Sequence, residues 1–203
     1  MNRTIDSYNR SAASYESKFL SYKPYINAIQ RFTKYLKPGD CVFDIGCGPG
    51  INARICLDNG LKFKGIDLSS EMIELAKARC PEGEFAIQDV NNLDLNDKYE
   101  AVIASFIIVH LDDNQMMRLI DKISNILKPS GYLYISFMTG KKAGYEFTSF
   151  SQDGSFYYNY YSIDNIKNLL GKHNLEVVEE FHEDYKEKKG SITEDVFLVS
   201  RKS

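Results

Sequence analysis

Hydrophobic positions change period several times along the chain, and each change marks an element. Cys41–Ile45 is a short apolar, β-branched run, the pattern of a buried parallel strand. A glycine-rich turn carries it into a predicted helix over 51–59, with Gly60 placed to cap the C-terminus. Leu61–Leu68 alternates as a second strand, and Ser69-Ser70 offers an N-cap for a helix over 71–79 that Pro81 closely follows. Glu84–Val90 reads as a third strand, and Glu100–Val109, almost wholly apolar, as a central fourth. Asp112 with Gln115 three positions on predicts a capping box. Behind it Met116, Leu119, Ile120, Ile123, Ile126 and Leu127 form one core-facing stripe. Pro129-Ser130-Gly131 turns the chain into a fifth strand, Tyr132–Met138, with Ser130 expected in type I turn geometry. After an irregular stretch Ser162 caps a helix over 163–173, and strands Leu175–Phe181 and Val196–Ser200 follow. Ahead of all this, residues 1–39 read as a helical arm ended by Lys37-Pro38-Gly39.

Alternating strands and helices with short connections imply an α/β fold, a Rossmann-like doubly wound sheet with helices on both faces. Such sheets bind ligands at the carboxyl ends of their strands, so residues at those ends are the first candidates for chemistry.

Composition narrows the picture further. A chain of 203 residues, 43% hydrophobic and 26% charged, is expected to fold as one domain. Its net charge of −3 argues against a nucleic-acid partner, which would require a basic face. The longest apolar stretch, 101–109, is far short of the roughly 20 residues of a membrane span, and the start has no secretory signal. Cys41, Cys47, Cys56 and Cys80 have no spacing that fits zinc, so no metal is expected and the reduced, cytoplasmic reading is favoured. There are fourteen Tyr and no Trp. Five of the tyrosines precede residue 36 and five fall between Tyr145 and Tyr161.

The most informative segment is VFDIGCGPG, Val42–Gly50. Gly46, Gly48 and Gly50 lie between a strand and a helix, where missing side chains let backbone approach a ligand. The spacing G-x-G-x-G differs from the G-x-G-x-x-G of dinucleotide folds, and Pro49 removes an amide that could hold phosphate. Asp44 ahead of the glycines suits a cationic group. Asp67, at the end of the second strand, can accept both hydroxyls of a ribose, and Asp89 with Val90 could hold an adenine.

With these residues together, the chain resembles a class I S-adenosylmethionine-dependent methyltransferase. The match lies in VFDIGCGPG, GIDLSSEMIELAKA (65–78), FAIQDV (85–90) and LKPSGYLYIS (127–136). The resemblance implies a seven-stranded sheet with its last strand antiparallel. It also implies that Asp44, Gly46, Cys47, Gly48 and Gly50 line the methionine side of the cofactor. Asp67 and Leu68 would then take the ribose, and Asp89 and Val90 the adenine. Tyr8 and Tyr15 resemble a Y-x6-Y arm closing over the cofactor. The implied layout is an arm or lid over 1–39, a cofactor core over 40–138, an acceptor insert over 139–161, and a helix and strand pair over 162–203.

Ser105, Phe106 and His110 follow the fourth strand, where the family fold faces the methyl group. His110 is the candidate base, because only imidazole titrates unperturbed near neutrality, and Tyr15 is a second catalytic candidate. Two or three of the ten clustered tyrosines are expected to reach the pocket, where ring faces could favour a sulfonium or an amine. The expected function is methyl transfer from S-adenosylmethionine to a small-molecule O or N acceptor, leaving S-adenosylhomocysteine, by a monomer or homodimer. A non-catalytic S-adenosylmethionine-binding protein and a dinucleotide-dependent oxidoreductase are the alternatives.

Overall fold

Short apolar strands such as Cys41–Ile45 and Tyr99–Ser105 need cover on both faces, and the chain provides it with helices before, between and after the strands. The computed structural model describes residues 3–93, 96–151, 156–186 and 192–203. In chain order the elements are α1 (Arg3–Phe19), α2 (Lys23–Thr33), β1 (Cys41–Ile45), α3 (Ile51–Asp58), β2 (Lys62–Asp67), α4 (Ser70–Arg79), β3 (Glu84–Ile87) and β4 (Tyr99–Ser105). There follow α5 (Asp113–Ile126), β5 (Leu127–Thr139), β6 (Gly144–Glu146), β7 (Phe156–Tyr158), α6 (Ile163–Lys172), β8 (Leu175–Lys186) and β9 (Ile192–Lys202).

Seven strands form one sheet in the order β3-β2-β1-β4-β5-β9-β8, and β6 pairs with β7 in a separate hairpin. The pairs among β1 to β5 are parallel, while β9 runs antiparallel to both neighbours. The expected α/β fold with a reversed last strand is therefore present. Successive residues of β1 and β4 serve opposite faces, which is why both strands read as continuously apolar. Phe43 and Val102 pack with Ile120 and Ile123 of α5, whereas Val42 and Ile103 pack with Ile29 and Phe32 of α2.

Four local features differ from the sequence expectation, each for a steric or packing reason. The arm over 1–39 is two helices, broken before Pro24, which occupies the first turn of α2. β4 ends at Ser105 because Phe106 takes φ +53° and the chain then coils through Ile108–His110. The stretch expected to be irregular contains the β6–β7 hairpin. Ser130 lies at φ +62°, outside type I geometry and in the left-handed third position that a type II turn requires after Pro129. The capping box of Asp112 and Gln115 forms as expected, whereas the Ser162 hydroxyl makes no capping bond to α6. His182, flanked by Glu180 and Glu194, and the Lys167–Glu180 pair put charge along edge strand β8. His173 follows the last residue of α6, 3.6 Å from Asp121.

Because the left-handed region costs an L-residue about 1–2 kcal/mol, Ser130→Gly is expected to stabilise the fold by roughly 1 kcal/mol in urea unfolding. Destabilisation would show that the serine side chain compensates for its backbone.

Candidate active site

The turn after β1 hangs from the end of β2. The amides of Gly46 and Cys47 both donate to the Ile66 carbonyl, at 2.8 and 2.9 Å. Gly48, at φ +52°, needs a left-handed backbone, and a Cβ added there would meet nothing within 4 Å. Asp67 secures the arrangement: Oδ2 accepts from the Gly48 amide at 3.0 Å, and Oδ1 from the Ser69 amide at 2.9 Å. Ser69 in turn caps α4 by accepting from the Met72 amide at 3.2 Å. Burial pushes the Asp67 carboxyl up, and the amides of Ser69, Gly48 and Leu68 oppose that rise. A carboxylate has about four acceptor positions, so two backbone bonds leave room for two hydroxyls.

Above this joint lies a cleft of about 460 Å³. Gly46, Gly48, Asp67, Leu68, Val90 and Ser105 line it, with Tyr8, Tyr15 and His110 opposite. Four expected contact residues do not form its wall. Asp44 is fully buried behind the glycine turn. Cys47 is turned against Gly65, where a side chain's Cβ would fall 2.8 Å from the Cys47 Cβ. Gly50 packs on Ala76 at the start of α3. Asp89 turns inward on its own loop, accepting from the Asn91 amide at 2.7 Å, so that Gln88 and Asn91 reach the cleft instead.

Asp44 is the more unusual carboxylate. Asn52 Nδ2 donates to its Oδ2 at 3.2 Å, while its buried Oδ1 has no hydrogen-bond partner among the described residues. Burial raises its pKa to about 7, with a smaller contribution from the nearby Asp67. An unpaired buried carboxylate oxygen beside a glycine-floored cleft fits a group that brings its own N–H donors and positive charge.

α1 roofs the cleft. Tyr8 and Tyr15 stand two helical turns apart and so share a face. Small residues, Ser7 and Ser11 among them, let the helix approach the domain closely. Its fastenings are the Ser69 hydroxyl to Asn9 at 2.6 Å, the Arg79–Glu16 ion pair, and the Tyr157 amide to the Thr4 hydroxyl at 3.3 Å. Tyr8 also reaches His110. The imidazole Nδ1 lies 2.9 Å from the Tyr157 carbonyl, which can only accept, so Nδ1 carries the proton. Nε2 then accepts from the Tyr8 hydroxyl at 2.9 Å. Burial lowers the His110 pKa to about 4, keeping the ring neutral at physiological pH. Burial pushes the Tyr15 hydroxyl's pKa up, and the nearby Asp67 and Asp44 carboxyls add to the rise.

Four of the ten clustered tyrosines, Tyr8, Tyr15, Tyr145 and Tyr157, line the cleft against the two or three expected, and three more line a second cavity behind it. Phe106 lines both, and its strained backbone is held by the amide's bonds to the Ser136 carbonyl and hydroxyl, at 3.1 and 3.0 Å. Sequence reasoning noted Phe106 only by position, since nothing in a phenylalanine codes for a positive φ. Gln88 and Asn91 were signalled only by flanking Asp89 and Val90.

A family model described as a methyltransferase domain matches residues 17–180. A ribosomal protein L11 methyltransferase of Dictyoglomus thermophilum is 31% identical over 137 residues, covering 66% of this chain and 44% of the relative. A demethylmenaquinone methyltransferase of Thermotoga maritima is 32% identical over 97 residues, covering 46% and 42% of the two chains. The N-methyltransferase NodS of Bradyrhizobium japonicum, solved with S-adenosylhomocysteine, has a TM-score of 0.77 at 16% identity over 99% of both chains. A methyltransferase structure from Clostridium acetobutylicum has a TM-score of 0.71 at 18% identity, covering 97% and 99%. The chain spans about half the length of the curated relatives it matches. The fold is that of the class I, S-adenosylmethionine-dependent methyltransferases. The chain belongs to the methyltransferase domain family.

The raised pKa of Asp44 has a definite sign. The folded protein keeps a proton that the unfolded chain loses near pH 4, so this group's contribution to stability falls as pH rises from about 4 to about 7. Asp44→Asn is therefore expected to stabilise the free protein at pH 8, by up to about 4 kcal/mol, with the gain shrinking toward pH 4. A pH-independent effect in chemical unfolding would contradict that assignment.

Proposed function

We propose that the protein transfers the methyl group of S-adenosylmethionine to a small-molecule acceptor. The observation that carries this reading is a pair of carboxylates at the ends of adjacent strands, Asp44 buried with one unpaired oxygen and Asp67 half-buried and presented to the cleft. Asp67 would hold the ribose hydroxyls, Leu68 and Val90 the faces of the adenine, and Asp44 the ammonium of the methionine part beside Gly46 and Gly48. Asp89, Cys47 and Gly50 would act through the backbone they shape. When bound, the cofactor supplies a methyl group on a positively charged sulfur.

Methyl transfer is an in-line displacement, so positioning supplies much of the acceleration. Ser105 and Phe106 stand at the end of β4, where the acceptor would be aligned. The neutral His110 has its free lone pair engaged by Tyr8, which favours a positioning role: it holds the α1 roof closed. Tyr15 would contribute its ring and hydroxyl to the same roof. A dinucleotide fits poorly, because its diphosphate would face Asp44 and Asp67. The enclosed roof and the net charge of −3 support a small acceptor over a nucleic acid.

Four experiments test this reading. S-adenosylhomocysteine is expected to raise the melting temperature and NADH is not; stabilisation by NADH alone would reverse the assignment. Asp67→Ala should weaken S-adenosylhomocysteine binding by about 1–3 kcal/mol, and unchanged affinity would remove Asp67 from the site. Transfer of labelled methyl to a metabolite pool separates an enzyme from a mere binder. His110→Asn is expected to weaken cofactor binding while changing kcat little. A base role would instead lower kcat by about 10²–10⁴-fold at unchanged affinity.

A further inference from the structure

Behind the cleft is a smaller cavity of about 60 Å³ that shares Tyr8, Tyr15, Phe106 and His110 with it. A ligand there would touch the same side chains as one in the cleft. Building on the methyltransferase reading, we propose that this cavity is the acceptor subsite and that it takes a small primary or secondary amine.

The walls are aromatic. Phe19 stacks on Tyr25 at 5.4 Å between ring centres and meets Phe150 and Tyr185 at 5.7 and 6.4 Å. The polar groups among them are carboxylates and hydroxyls. Asp195 of β9, only 1% exposed, accepts the Tyr25 hydroxyl at 2.7 Å. Glu146 of β6 accepts the Tyr160 hydroxyl at 2.6 Å. Thr148 also lines the cavity, and its buried Oγ1 has no hydrogen-bond partner among the described residues. Two lysines outside the lining already use this field: Lys141 is 3.6 Å from Glu146 and 5.6 Å from the Tyr160 ring centre, and Lys18 bonds the Tyr185 hydroxyl and lies 4.7 Å from that ring's centre. Ring faces and carboxylates together favour a positive charge, and Thr148 can accept an N–H.

The same field disfavours the other acceptors. A carboxylate would face Asp195 and Glu146. A hydroxyl would have to become an oxyanion beside them, and the neighbouring imidazole already takes a hydrogen bond from Tyr8. An amine needs no such base within the site. Its ammonium form releases one proton to water, and the nitrogen lone pair then forms the N–CH3 bond. The S–CH3 bond breaks with its electron pair left on sulfur, so positive charge moves from sulfur to nitrogen, toward the carboxylates.

The test measures binding of propylamine, 1-propanol and propionate to the protein saturated with S-adenosylhomocysteine, by NMR titration. Propylamine is expected to bind at least tenfold more tightly than the other two. Asp195→Asn and Glu146→Gln should each weaken it severalfold while S-adenosylhomocysteine affinity stays within twofold. Glu146 is partly exposed, so its variant keeps the test valid if Asp195→Asn fails to fold. Equal binding of the three probes, preference for propanol or propionate, or an amine affinity untouched by Glu146→Gln would overturn the assignment. If S-adenosylhomocysteine itself fails to bind, the methyltransferase reading falls and the amine subsite with it.

Discussion

The site depends on Asp67 accepting two backbone amides from two different elements. One amide belongs to the glycine turn after β1 and the other to the residue that caps α4. A single carboxylate thus sets the distance between two strand ends and the start of a helix. Without it the left-handed path through Gly48 would have no anchor on the β2 side beyond the Ile66 carbonyl. The energetic cost is a buried charge, opposed by charge-assisted hydrogen bonds that a neutral side chain would form more weakly. Asp44, one strand over and behind the cleft wall, has one amide donor on Oδ2 and none among the described residues on Oδ1. The stability forgone there as pH rises to about 7 is what a cationic ligand would restore.

The aromatic residues complete what the carboxylates begin. α1 contributes rings on one face and small side chains on another, so it can lie close to α4 while presenting Tyr8 and Tyr15 inward. Phe150 joins it from the segment after β6, packing edge-on to Tyr15 at 5.0 Å. The roof is therefore one aromatic cluster built from two distant parts of the chain. Exclusion of water from the cleft strengthens every electrostatic interaction inside it.

The parts legible in the sequence were those set by local chemistry. Apolar runs placed β1, β2 and β4, the Asp112–Gln115 pair placed α5, and G-x-G-x-G marked the turn, whereas Asp67 read only as a ribose contact and not as the turn's anchor. What escaped was direction. Asp89 stands where a ligand contact was expected, yet bonds its own loop, a choice between two short-range partners that spacing alone leaves open. Cys47 faces Gly65 because only a glycine in β2 leaves that space. The positive φ of Phe106 and the β6–β7 hairpin depend on tertiary contacts, Ser136 with the first and α1 with the second. His110 looked like an ordinary titrating imidazole until its burial and its two hydrogen bonds were known.

The claim that a buried, unpaired Asp44 awaits the ammonium of the cofactor is tested most directly by proton release. Calorimetric titration of S-adenosylhomocysteine in two buffers of different ionisation enthalpy counts protons exchanged on binding. With a pKa of about 7 in the free protein, Asp44 is mostly protonated at pH 6 and ionised once paired. Close to one proton should be released at pH 6 and almost none at pH 8. No release at pH 6, or equal release at both, would contradict it.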